Sequence, residues 1–215
     1  MMRWRFCYSF LGTLFIGSSL WAGNPKASTG DRFYQGRDLF FRVAGVAPDD
    51  QLNVRARPRS KSRILTTLAH DAPFVEINGK KRKWFRINAG EETGWVYSKY
   101  LEPIKIPTYP NTNLPMGLRC HAEEPFDSFH LQAKEILYRA QGKESESFTI
   151  ESLTAKKKGT KLEAKNKQGV VLQLHISEEQ GSSTMVEAYY NWTFTATLDG
   201  KALTGGVGCT GSLGW

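Results

Sequence analysis

The stretch that decides the fold runs from Leu52 to Leu101 and reads "LNVRARPRSKSRILTTLAHDAPFVEINGKKRKWFRINAGEETGWVYSKYL". Short runs rich in Val, Ile, Phe and Trp, such as "RILTTL" and "TGWVY", alternate with turn signals such as "AHDA" and "NAGEE". None of these runs has a helical period. Together with "LFFRVAGV" just upstream, this spacing predicts a small all-β barrel or sandwich of about 60 residues.

Individual positions in this stretch have physical explanations. Leu52, Val54 and Ala56 alternate with polar residues, so one face of the strand is expected to pack inward while the other stays wet. Gly94 precedes Trp95, where a bend or a close backbone approach would exclude a Cβ atom. We expect Trp95 to fill the core rather than to stack on a sugar.

The order of these features resembles a bacterial SH3 domain. The resemblance rests on the "LNVR" entry, a Pro in the next loop, an "I-x-x-L" strand, a "W-x-x-I" strand, and "GWV" followed by an aromatic and Leu. It covers residues 39–103 and implies a small β-barrel of the kind that accompanies cell-wall enzymes and exported proteins. Many such domains are thought to bind peptidoglycan, and others only support neighbouring domains.

Basic residues occupy every second position after Val54, namely Arg55, Arg57, Arg59, Lys61 and Arg63. Pro58 and two serines interrupt the strand, so the later members are expected to lie on a loop. With aromatic residues nearby, this row suggests a cleft for anionic cell-wall peptide, in which carboxylates pair with arginine. The predicted ligand-binding residues are Arg55, Arg57, Arg59, Trp84 and Tyr97. In the open alternative, the basic row binds no ligand and its charges only protect a strand edge from pairing with other chains.

The N-terminus predicts export. Arg3 and Arg5 precede an apolar run and the small residues Ala22 and Gly23, which is typical of a signal peptide over residues 1–22, followed by a tether over 23–38. A retained anchor is the alternative. Removing two arginines lowers the net charge from +8 to +6. An exported basic protein meets anionic wall polymers, lipid headgroups and envelope proteins rather than nucleic acid, so the expected location is periplasmic or secreted.

The cysteines indicate a disulfide. Cys7 lies in the signal, which leaves Cys120 and Cys209 as an even pair in an oxidising compartment. We expect the two to be bonded.

Residues 104–117 contain several prolines and predict an extended linker. Residues 118–210 again show strand-like runs, so a second, disulfide-closed β-barrel or sandwich domain is expected. "FHLQAKEILYRA" fits either a helix or a strand–turn–strand unit. The basic character belongs to the first domain: residues 39–103 hold twelve Lys/Arg against seven Asp/Glu, whereas 118–209 hold eleven against twelve.

The second domain resembles, at its two ends, an uncharacterised exported bacterial β domain. "CHAEEPF" is similar to that family's Cys-x-Gly-x-Glu-Pro-Phe-Trp start, and "LDG" and the Gly before Cys209 are similar to its end. Ala122 and Asp127 stand where the motif has Gly and Trp. This resemblance implies no activity.

The chemical motifs argue against catalysis. A cysteine peptidase needs a thiolate beside a His base, and a disulfide-bonded sulfur is no nucleophile. The cluster His121, Glu123, Glu124, Asp127 and His130 matches no defined zinc spacing, so solvated surface charge is the expected role and no metal or cofactor is expected. His175 lies in an apolar run and is expected to be a core or interface residue.

These observations predict an exported, non-catalytic, all-β binding protein. Its SH3-like domain is expected to recognise peptidoglycan or another anionic envelope polymer. The alternative is a protein-binding or inhibitor module of the cell envelope in which the SH3-like barrel is a scaffold.

Overall fold

Strands form nearly all the regular structure in this computed structural model, which describes residues 38–203 and 206–213. The predicted signal peptide, nearly all of the tether and Cys7 lie outside the described residues. Within the described part, no helix has the length and apolar character needed to cross a membrane. The all-β prediction is confirmed.

Two small sheets build the first half of the chain. β2, β3, β5, β6 and β7 form a five-stranded sheet in the order β3-β2-β7-β6-β5, and β1 pairs with β4 and β8 in a second sheet. The bounds are β1 (Phe40–Val43), β2 (Gln51–Arg55), β3 (Ile64–Ala69), β4 (Val75–Glu76), β5 (Gly79–Lys81), β6 (Trp84–Ala89), β7 (Glu92–Tyr97), a 3₁₀ turn (Ser98–Tyr100) and β8 (Leu101–Pro103).

The alternation in β2 places its apolar residues in the core of this unit. Leu52 and Val54 are buried, whereas Asn53 and Arg55 are only half-buried. Trp95 is buried, as expected. A Cβ on Gly94 would lie 2.2 Å from the Cγ1 of Val54, so only glycine lets β7 approach β2 this closely.

One large sheet builds the second half. Its strands are β9 (Arg119–Ala122), β10 (Ser128–Leu131), β11 (Glu135–Arg139), β12 (Glu146–Lys156), β13 (Gly159–Lys165), β14 (Val171–Ser177), β17 (Thr193–Leu198), β18 (Lys201–Ala202) and β19 (Gly206–Thr210), while β15 (Gly181–Ser182) and β16 (Tyr189–Tyr190) pair separately. The order is β18-β17-β14-β13-β12-β11-β10-β9-β19. A bridge between Trp192 and Cys209 brings the two ends of the sheet together, so it curls into a half-barrel around an apolar core.

The predicted disulfide between Cys120 and Cys209 is present. It joins β9 to β19 at directly opposed positions, and both residues are fully buried. The bond therefore ties the first strand of this sheet to its last strand.

Two sequence interpretations are resolved by this sheet. "FHLQAKEILYRA" forms the hairpin of β10 and β11, because Phe129, Leu131, Ile136 and Tyr138 all point to the core at a spacing of two. The expectation of a core position for His175 was wrong: it lies on the outward face of β14 and is exposed, while its neighbours Leu174 and Ile176 are buried.

The proline-rich residues 104–117 pack against the second sheet. Tyr109 and Leu114 are almost fully buried in its core, and the Tyr109 hydroxyl donates to the Gln132 carbonyl at 2.6 Å. The apolar residues between the prolines thus anchor a segment that was expected to be extended. The predicted domain limits stay a prediction.

The two halves share a polar interface. The Asn88 amide donates to the Tyr189 carbonyl at 2.9 Å, and the Tyr189 backbone N–H donates to the Asn88 Oδ1 at 3.1 Å. The guanidinium of buried Arg86 lies over the Tyr189 ring at 3.9 Å and donates to Asn78 at 3.0 and 3.1 Å. Because Asn88 and Arg86 both contact Tyr189, these groups link the two halves to each other.

Candidate ligand-binding groove

A groove of about 820 Å³ opens on the first unit, the half of the chain that contains β1 to β8. This volume lies in the range of small-molecule and peptide sites. The groove is lined by the segment between β1 and β2, by β2 and its following loop, by the β5–β6 turn and by the end of β7. The lining residues are Gly45, Val46, Ala47, Asp50, Gln51, Leu52, Asn53, Arg55, Pro58, Arg59, Ser60, Arg82, Lys83, Trp84, Tyr97 and Tyr100.

Three aromatic rings form one wall of the groove. Trp84 and Tyr97 are directly opposed on β6 and β7, with ring centroids 5.3 Å apart, and Tyr97 meets Tyr100 edge-on at 6.2 Å. All three are half-buried. Each ring therefore keeps an accessible face while its neighbours restrict its rotation.

Cations also line the groove. Arg55 is half-buried on β2, and its Nη1 donates to the Ser62 carbonyl at 2.9 Å, which fixes the guanidinium near the loop. Arg59 stands exposed on that loop, and Arg82 and Lys83 come from the β5–β6 turn. Asp50 is the acidic residue among the lining side chains. Four cations against one carboxylate make the groove attractive to anions.

Four of the five predicted binding residues meet in this groove: Arg55, Arg59, Trp84 and Tyr97. Arg57 is exposed but does not line it. Within the alternating basic row, Arg55 and Arg59 therefore line the groove, whereas Arg57 faces solvent. Arg63 also lies outside the groove, 3.6 Å from Glu92 in an ion pair whose partners are 70% and 57% exposed.

Sequence reasoning missed the residues before β2. Asp50 and the backbone of Gly45–Ala47 line the groove because the turn "APDD" brings the chain back along β2. That turn was the available signal in the sequence.

The acidic and histidine cluster of the second unit has structural roles. Buried Asp127 accepts hydrogen bonds from the Tyr138 hydroxyl and the Gln141 backbone N–H, each at 3.1 Å. Glu123 accepts from the Thr184 hydroxyl at 2.6 Å. Burial, and then the charge of Arg119, lower the pKa of His121. No group of three His, Cys, Asp or Glu side chains converges as metal ligands in the described ranges.

Comparison with known proteins agrees with the fold of the first unit. No curated protein sequence and no solved structure matches the chain significantly. Residues 50–102, which carry nearly all of the groove, match the family model of the bacterial SH3 domain.

Proposed function

We propose that this protein is an exported, non-catalytic binding protein whose SH3 domain holds anionic cell-wall material, in the first place the stem peptide of peptidoglycan. The observation that carries the proposal is the meeting of Arg55, Arg59, Trp84 and Tyr97 in one groove. The match to a bacterial SH3 domain supports a cell-wall or protein-binding role.

The chemistry of the groove suits an extended peptide that carries carboxylates. The fork of Arg55 is already oriented by its bond to Ser62, so a carboxylate gains two charge-assisted hydrogen bonds at a small entropic cost. The faces of Trp84 and Tyr97 accept the apolar parts of the peptide. Asp50 offers a partner for an amine, which stem peptides also contain.

Binding without catalysis is part of the proposal. No Cys or His is among the lining residues of the groove, so a nucleophile with an imidazole base is lacking there. The sulfurs of Cys120 and Cys209 are bonded to each other. The disulfide also supports an oxidising compartment, in keeping with the predicted export.

Sedimentation with purified sacculi at low salt tests the proposal on the oxidised chain that lacks residues 1–22. The chain is expected to pellet with the sacculi, and Arg59→Ser is expected to weaken binding about tenfold, the loss of one hydrogen-bonded charge. Arg57→Ser is the matched control, because it removes an equal charge from the same loop outside the groove. Absence of sedimentation, or equal loss in both variants, contradicts the proposal.

A second candidate, binding of an envelope protein, is favoured by an exposed apolar tip on the second unit. Phe126 and Met185 are 48% and 59% exposed on two loops that Glu123 ties together through Thr184. Lysozyme inhibition without sacculus binding would favour this candidate, and Met185→Ser should then abolish inhibition.

A further inference from the structure

A second groove, of about 700 Å³, lies on the outer face of the nine-stranded sheet beside the β12–β13 hairpin. It belongs to the unit that the family match does not cover. We call it the lysine groove; its lining residues are Lys156, Lys157, Lys158, Lys161, Gln173, Leu174, His175, Ser177, Glu179, Thr195 and Thr197.

The hairpin that carries the lysines is fixed against β14. A Cβ on Gly159 would lie 2.1 Å from the Ile176 carbonyl oxygen, so glycine allows β13 to begin directly beside β14. The Glu178 backbone N–H donates to the Lys158 carbonyl at 3.3 Å. These contacts hold the turn at Lys157 and Lys158 next to the groove.

Register adds further polar groups to the same surface. Lys161 on β13 is directly opposite His175 on β14, and His175 is opposite Thr195 on β17. All three are exposed, while Leu162 and Ile176 are buried on the other face. The side chains of this row therefore project outward on the same face as the groove.

The lysines outnumber their counter-charges. Lys158 lies 3.5 Å from Glu179, but the two side chains are 74% and 58% exposed, so the pair is weak. Lys156, Lys157 and Lys161 form no ion pair within the described residues. Four ammonium groups around one groove repel each other, and a bound anion relieves that repulsion.

The donor types indicate which anion. Among the described residues that line this groove there is no Arg, Phe, Tyr or Trp. Lysine is a compact point charge with three rotatable donors, which suits a polyvalent, tetrahedral anion, whereas the planar arginine fork suits carboxylates as well. We propose that the lysine groove is a binding site for phosphate groups, carried by a soluble oligophosphate, a polymer or an anionic lipid headgroup.

Calorimetric titration with pyrophosphate tests the site on the full oxidised chain. Lys157→Gln combined with Lys161→Gln is expected to weaken binding about tenfold or more. The matched control combines Lys134→Gln with Lys143→Gln, two exposed positions of the same unit outside the groove. The control variant should bind less than about threefold more weakly, because it loses only the long-range attraction between its two lysines and the anion.

Three results would overturn the proposal: no pyrophosphate binding, equal weakening by the two double variants, or equally tight binding of citrate, a carboxylate anion of similar charge. Near-ultraviolet circular dichroism of each variant checks that the sheet is intact. Because pyrophosphate contains no wall material, failure here is independent of the sacculus experiment.

Vesicles distinguish the sources of phosphate. The protein is tested for flotation with phosphatidylglycerol–phosphatidylcholine vesicles. If the groove variant abolishes flotation and the control variant preserves it, the phosphate belongs to a lipid headgroup. Pyrophosphate binding without flotation assigns a soluble or polymeric phosphate. Flotation that survives the groove variant contradicts a headgroup site in the lysine groove.

Discussion

The two grooves carry the same excess charge but hold it in different ways. In the groove of the first unit, which Trp84 and Tyr97 line, Arg55 is oriented by the Ser62 carbonyl and lies near packed aromatic rings. In the lysine groove, the cations are exposed side chains on a hairpin whose backbone alone is fixed. Preorganised arginine and aromatic groups favour selection by shape, whereas exposed lysines with rotatable ammonium groups favour selection by charge.

The net charge of a unit therefore does not describe its binding surface. The second unit has slightly more acidic than basic residues, yet it concentrates four lysines around one groove. We therefore expect the two sites to respond independently to mutation.

Gly159→Ala is expected to disrupt the lysine groove by distorting the hairpin. The alanine Cβ would meet the Ile176 carbonyl, and the φ of 141° is a conformation that only glycine adopts readily. The free energy of unfolding should fall by about 3 kcal/mol in urea titration. Gly142→Ala, at a positive φ but with no atom within 4 Å of the new Cβ, should cost about 1 kcal/mol. Equal losses in the two variants would contradict the clash.

Glu76 makes the junction between the two units sensitive to pH. Its carboxylate accepts from the Asn191 amide at 2.8 Å and the Gly211 backbone N–H at 2.7 Å, but burial outweighs these bonds and raises its pKa to about 7. The folded protein therefore holds this proton more tightly than the unfolded chain, and the resulting stability is lost as the pH rises from about 4.5 through 7.

Glu76→Gln should remove that dependence. The unfolding free energy of the variant minus that of the natural chain is expected to increase by about 2 kcal/mol between pH 4.5 and 8. This is less than the full pKa shift of Glu76 implies, because the residue is only half-buried. Urea titrations across this pH range measure it, with the exposed Glu92→Gln as control. A difference that stays constant with pH would refute the burial effect.

Trp84→Leu tests the aromatic side of the comparison. Losing the ring that opposes Tyr97 should weaken sacculus binding about tenfold and leave pyrophosphate binding unchanged. Trp84→Phe should retain most of the affinity. If both ligands lose affinity together, the two grooves are not independent sites.

Arg63→Ser should have almost no effect. Its ion pair with Glu92 is long and exposed, so the unfolding free energy is expected to change by less than about 0.5 kcal/mol. Sacculus sedimentation should be unchanged. A clear loss of binding would extend the site beyond the groove to the outer part of the basic row.

Local sequence patterns predicted the barrel well because its determinants are local. The alternation of Leu52 and Val54, the small Gly94 and the core position of Trp95 can each be explained by a few neighbouring residues. The meeting of Arg55, Arg59, Trp84 and Tyr97 was also predicted, from the basic row and the aromatic residues near it in the sequence.

Long-range features escaped prediction. The lysine groove was not predicted, because the row Lys161, His175 and Thr195 is set by the register of three strands. The burial of Arg86 at the junction was not foreseen, since its ring partner Tyr189 is far along the chain. Spacing alone also did not reveal that residues 104–117 contribute Tyr109 to a core.

The pairing of β1 with β4 and β8 limits how this domain can be exchanged between proteins. The family match begins at residue 50, whereas Phe40–Val43 supplies the middle strand of the second barrel sheet. A gene fragment cut at the match would lose that strand and leave Arg86 without the Tyr189 ring. Recombination that transplants the SH3 domain would therefore need to carry the preceding strand and to supply another surface that covers Arg86.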